Sequence, residues 1–255
     1  MNEKMEQISK TVKEFLLGKQ EDETALKPKR KRHPLEEMLE ALIQIKDIDW
    51  YGYAFSRDPI NGKFTEEQRK SWMEKAIICG REYANRVSRE YESKDPKVIA
   101  EGMKMKVSYP ELPEKTDRIL FAEYRVPNRI CIYMDAVNKA KRYLKRPEIR
   151  DLLTHELDVS KLLLAHELFH NVEDKHRKEI FTQREKARLW SLGPIHNDSP
   201  ILALSEIAAM SFAKELTGIP YSPYVMDVFL MYGYSPEEAS GLYEEMMEYV
   251  GMASA

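Results

Sequence analysis

The segment Leu162-Leu163-Leu164-Ala165-His166-Glu167-Leu168-Phe169-His170-Asn171-Val172 sets the tightest limit on what this chain can fold into. Its aliphatic and aromatic residues make a helix that can be buried on most sides. Three ionisable groups nevertheless sit in its middle, and burying them without partners is expensive. The two histidines stand at i and i+4, so a helix projects both imidazoles from one face, where both can reach one metal ion. Zinc takes nitrogen donors in tetrahedral geometry, and two histidines fill half of that set. Glu167 follows the first histidine by one residue. From there it can act on a water beside the ion without binding the ion itself, which is where a general base is needed. The expected reading is a catalytic zinc site; a structural or accidental cluster is the alternative.

A third protein ligand is required, and Glu206 is the expected one. It lies among Leu204, Ile207, Ala208 and Ala209, where a carboxylate is costly to bury unless paired or metal-bound. The plain alternative is a Glu206 that faces water. Glu179 and Glu185 fall in the charged stretch from Lys175 to Arg188, which reads as a solvated face, and Glu215 sits near a helix end. His155-Glu156 imitates the start of the motif, but Val159 stands where a second histidine would be. His176, His196, Tyr221 and Tyr224 are candidate donors to the oxyanion of a tetrahedral intermediate, with surface placement or plain packing as the alternative for each.

Composition narrows the class. The 255 residues carry 43% hydrophobic and 33% charged side chains, enough to build a well-solvated globular core. The net charge of -3 does not suit a nucleic-acid coat, and no direct nucleic-acid binding is expected. The basic run Lys27 to Arg32 reads as a solvated linker, since no aromatic residue interleaves it. Cys79 and Cys131 lack metal or redox spacing, and the polar start MNEKMEQISK has no apolar signal core. A cytoplasmic protein without membrane association is expected.

Apolar spacing predicts a helix over residues 2–18, another over Leu35–Ile45, and a long one from Thr65, whose capping box with Gln68 marks its start. Asp95-Pro96 opens a short helix. Strands are expected over Met105–Tyr109, Leu120–Tyr124 and Arg129–Met134, and a helix over Ala136–Leu144. Asp158 caps the motif helix. Trp190–Ser199 reads as a loop, and Ser199-Pro200 as the start of a helix to about Leu216, with Gly218 beyond its end. Helices near Tyr221–Met231 and Pro236–Tyr249 close the chain. The sum is a mostly helical α+β protein with a small sheet.

The order of these segments resembles the ImmA/IrrE family of zinc metallopeptidases, a gluzincin-like group. The likeness runs from about Ala76 to Leu216 through Asp95-Pro96-Lys97-Val98-Ile99-Ala100-Glu101-Gly102, Met105-Lys106-Val107, Arg129-Ile130-Cys131-Ile132-Tyr133, Leu164-Ala165-His166-Glu167-Leu168-Phe169-His170 and Glu206-Ile207-Ala208-Ala209-Met210-Ser211-Phe212-Ala213-Lys214-Glu215-Leu216. The chain departs from that family in a longer gap between His170 and Glu206, and in Ala208 where many members carry a second acid.

The resemblance implies a zincin-like domain over residues 35–220, preceded by an N-terminal helix and basic linker over 1–34 and followed by a helical pair over 221–255. It implies Zn2+ held by His166, His170 and Glu206, with Glu167 as the base. It implies a sheet-edge strand of Arg129, Ile130, Cys131, Ile132 and Tyr133 that takes an extended protein or peptide substrate, and a transcriptional regulator as one such partner. The rival reading is a non-catalytic regulatory or protein-binding module of the same fold with a structural metal.

Overall fold

The computed structural model describes residues 31–113, 119–193 and 195–251. The helix expected over 2–18 and the basic run before Lys31 lie outside the described residues. In chain order, α1 (Leu35–Leu42), α2 (Asp47–Ser56), α3 (Glu66–Glu90) and α4 (Pro96–Gly102) lead into β1 (Lys106–Ser108), β2 (Ala122–Arg125) and β3 (Arg129–Ile132). Next come α5 (Met134–Tyr143), α6 (Pro147–Leu153) and α7 (Val159–Lys175), which carries the motif. A short α8 (Phe181–Arg184), a hairpin of β4 (Lys186–Leu192) and β5 (Ile195–Pro200), then α9 (Leu202–Thr217), α10 (Val225–Tyr232) and α11 (Pro236–Tyr249) complete the chain. The class is α+β, mostly helical. Among the described residues no helix is long and apolar enough to cross a membrane.

The helix starts follow their side chains. Thr65 accepts from the Gln68 amide at 3.2 Å while Gln68 returns the bond to the Thr65 amide at 2.9 Å. Asp95 accepts from Lys97, Asp158 from Lys161 and Ser235 from Glu238. Each satisfies a backbone donor that the first helical turn leaves open. Gly218 ends α9 at φ +70°, a left-handed conformation that glycine adopts without a Cβ clash.

Helix α9 is the spine of the core. It is packed between α3 and α7, and small residues let the backbones close in. A Cβ at Gly80 would lie 2.1 Å from the Ala208 carbonyl oxygen, so α3 crosses α9 where neither helix has a side chain to spare. Ser211 adds a hydrogen bond to the Ile77 carbonyl at 2.9 Å. On the other flank, Phe169 of α7 meets Phe212 of α9 with ring centroids 5.6 Å apart. The fully buried Ala203, Ala208, Ala209 and Ala213 explain why α9 shows no clean amphipathic stripe: neighbours cover it nearly all round. Helices α10 and α11 pack on α1, α2 and α5.

Two expectations are corrected. The three-stranded sheet has the order β1-β3-β2, with β3 parallel to β1 and antiparallel to β2. The stretch Arg129-Ile130-Cys131-Ile132-Tyr133 is therefore the middle of the sheet, not an edge. Its alternation of buried Ile130 and Ile132 with less buried neighbours says that one face is covered, and says nothing of who pairs on either side. The edge strand against the motif helix is β2. The second correction is the expected loop at Trp190–Ser199. It is a twisted hairpin that turns at Gly193 (φ +59°), pairs Leu192 with Ile195, and has an irregularity between Arg188 and Trp190. Polar β5 residues hid it, because Asn197 and Asp198 are poor strand formers that read as turn residues. Arg188 and Asp198 meet across it at 3.0 Å.

Candidate metal centre

Helix α7 holds His166, Glu167 and His170 on two successive turns, and α9 brings Glu206 against them. One ligand atom from each of His166, His170 and Glu206 lies within 4.8 Å of the others. The two Nε2 atoms are 3.2 Å apart. His166 Nε2 lies 3.4 Å from one Glu206 oxygen, and His170 Nε2 lies 3.8 Å from the other. Donors at about 2.0–2.2 Å from a tetrahedral zinc stand about 3.3–3.6 Å from one another, so this spacing is close to what such an ion needs.

The surroundings of Glu206 favour a positive charge here. Its side chain is 0% exposed, and neither carboxylate oxygen has a hydrogen-bond partner. An ionised carboxyl in that position faces several kcal/mol of desolvation, on the order described for unpaired buried charges, unless an opposite charge offsets it. The histidine side chains are 12% and 18% exposed, so the imidazoles form the open side of the cluster. Two imidazole nitrogens and a carboxylate oxygen are a donor set that zinc accepts.

The charges around this set perturb one another. Burial pushes the Glu167 carboxyl up, and the Glu206 charge adds to it, while His166, His170 and a backbone hydrogen bond from Tyr124 pull it down. Strand β2 packs on α7, the helix that carries Glu167. Burial pulls the His170 imidazole down, but the Glu173 carboxylate beside it, with Glu206 and Glu167, outweighs burial and carries it up to about 9. Part-buried Asp227 of α10 is pushed up to about 7 by burial, assisted by Glu206 and opposed by Arg57 and His166.

The other expected residues fall as follows. The Tyr221 hydroxyl donates to the Leu153 carbonyl at 2.7 Å. His176 caps the end of α7, contacts Glu179 and packs on the Tyr83 ring at 5.2 Å. His196 lies on the exposed hairpin, 3.3 Å from Asp198. Tyr224 is buried with no partner for its hydroxyl; burial raises its pKa first, and the nearby Glu206 charge second.

Several supporting residues escaped the sequence reading. Asp58, from the turn after α2, accepts from the Ala203 amide at 3.0 Å and so caps α9 from 145 positions away. Asn171 donates to the Pro127 carbonyl at 3.0 Å and to the Tyr124 hydroxyl at 3.1 Å, fastening α7 to the turn between β2 and β3. Neither carries a local signal, since each acts on a distant segment. Glu173 did carry one: it continues the spacing His166, His170 as i+7 on the same helical face. A scan against protein-family models, a search of curated proteins and a search of solved structures each return no match to this chain.

Proposed function

We propose that this chain is a zinc-dependent metallopeptidase of the kind the ImmA/IrrE resemblance implies, with a zincin-like domain built on α7 and α9. The observation that carries the reading is Glu206, a fully buried carboxylate without a hydrogen-bond donor, facing two imidazole Nε2 atoms. Zinc bound by His166, His170 and Glu206 would supply Lewis acidity and lower the pKa of a nearby water towards neutrality.

The remaining steps belong to side chains. Glu167 accepts the proton of the water that attacks a peptide carbonyl, and then returns it to the leaving amine. Its raised basicity, from burial, favours the first transfer. Strand β2 is an edge of the sheet and packs on the helix that carries Glu167, which favours an extended substrate pairing along β2. An edge strand beside the motif helix favours a protein or peptide substrate; a transcriptional repressor is the substrate that the family resemblance suggests.

The test uses two variants. Glu167→Gln keeps the zinc of the wild type and loses cleavage by about 100- to 10,000-fold, the usual contribution of a general base. His166→Ala loses the zinc. A Glu167→Gln protein that cleaves as the wild type does sinks the peptidase reading and leaves the metal-bearing regulatory module in its place.

A further inference from the structure

The two histidines of the centre are not equivalently supported. His166 Nδ1 is buried and has no hydrogen-bond partner. His170 Nδ1 lies 3.4 Å from Ser205 Oγ and 3.8 Å from Glu173 Oε2. Ser205 Oγ in turn donates to Glu173 Oε2 at 2.8 Å, and Thr182 Oγ1 donates to the other Glu173 oxygen. Glu173 is 6% exposed, one turn beyond His170 on the same face of α7.

The donor count fixes the direction of this chain. Each Glu173 oxygen takes one hydroxyl, Thr182 on one and Ser205 on the other, so the Ser205 proton points at Glu173. The Ser205 oxygen then has only lone pairs to offer His170, and Nδ1 must carry the proton. In the neutral ring that leaves the Nε2 lone pair of His170 facing Glu206 and His166.

We infer that Ser205 and Glu173 form a positioning relay, His170 Nδ1–H to Ser205 Oγ–H to Glu173, that sets the tautomer and ring orientation of one metal-binding histidine. The relay also joins the two helices that hold the donors, because Ser205 precedes Glu206 on α9 while Glu173 lies on α7. Thr182 ties it to α8, at the foot of the hairpin. Partners of this kind contribute about 10- to 100-fold to metal affinity. The inference rests on the proposed centre for its consequence, tighter metal binding, but not for its hydrogen bonds.

The experiment measures both. Zinc affinity of the full chain is determined by competition with a chelator for wild type, Ser205→Ala and Glu173→Gln. Imidazole nitrogen spectra of the metal-free proteins are recorded over a pH series, and the tautomer is read from the neutral His170 ring. Expected are an Nδ1-protonated His170 in the wild type, its loss to a tautomer mixture in Ser205→Ala, and about 10- to 100-fold weaker zinc binding in both variants. Ser205→Ala removes one oxygen, so it keeps the test open if Glu173→Gln does not fold. Variants within twofold of wild-type affinity overturn the positioning role, as does an Nε2-protonated His170 in the wild type. A folded wild type that binds no zinc, yet shows the Nδ1 tautomer fixed by Ser205, overturns the metal centre and leaves the relay standing.

Discussion

The helix pair α7–α9 and the hairpin β4–β5 lie in one continuous stretch of chain, and they solve opposite problems. The helices bury nearly everything they carry, including Glu167, Glu173 and Glu206. The hairpin leaves Trp190, Leu192 and Ile195 exposed at 52%, 74% and 61%. In the helices each side chain is fixed by several neighbours, so charged groups can be held close together without collapsing onto water. In the hairpin the cross-strand hydrogen bonds and the Arg188–Asp198 pair fix the backbone alone, and the tip residues contribute nothing to the core. Pre-positioned metal donors need the first arrangement.

Substitutions should separate the two regions by size of effect. Phe169→Ala, which empties the contact with Phe212, is expected to cost about 3–5 kcal/mol of unfolding free energy in denaturant titrations. Asp58→Ala removes the distant cap of α9 and is expected to cost about 1 kcal/mol, with a matching loss of zinc affinity if the helix start sets Glu206. Leu192→Ser, at the hairpin tip, is expected to stay within about 0.5 kcal/mol of wild type. Equal losses for Phe169→Ala and Leu192→Ser would erase the contrast.

Asp227 sharpens it through pH. Folding raises its pKa from 3.8 to about 7, chiefly by burial, so the folded state favours the protonated acid. Its contribution to stability is complete below about pH 4 and is lost as pH climbs through about 7. Metal-free Asp227→Asn protein should therefore gain stability over wild type at pH 8 and show a smaller gain at pH 5, read as thermal midpoints. A difference that grows towards acid pH would show that the carboxylate form is the one the fold prefers.

The motif helix was legible because its signals are local. Asp158 caps it, the leucines mark its buried faces, and His166 and His170 need only helical spacing to converge. Glu206 was legible for a different reason, as a charge among residues that are all buried. Sheet order was not legible: Ile130 and Ile132 face the core whether β3 is central or at the edge, and only long-range pairing decides. Helix α2 was missed, since Trp50, Tyr51, Gly52 and Tyr53 are middling to poor helix formers and no side chain caps its start. It is held instead by tertiary packing, with Trp50 stacked on Tyr224 at 6.0 Å. The Ser205–Glu173 relay lies between these cases: Glu173 was on the right face to be noticed, while Ser205 became its partner only when α9 folded against α7.

The central claim, that α7 and α9 together build a zinc centre, is tested most directly by anomalous scattering at the zinc edge from crystals of the full chain. One peak is expected about 2.0–2.2 Å from His166 Nε2, His170 Nε2 and a Glu206 oxygen. Crystals of zinc-supplemented protein with no peak among these three residues, or with a peak held by Glu173 while Glu206 stands apart, would contradict it.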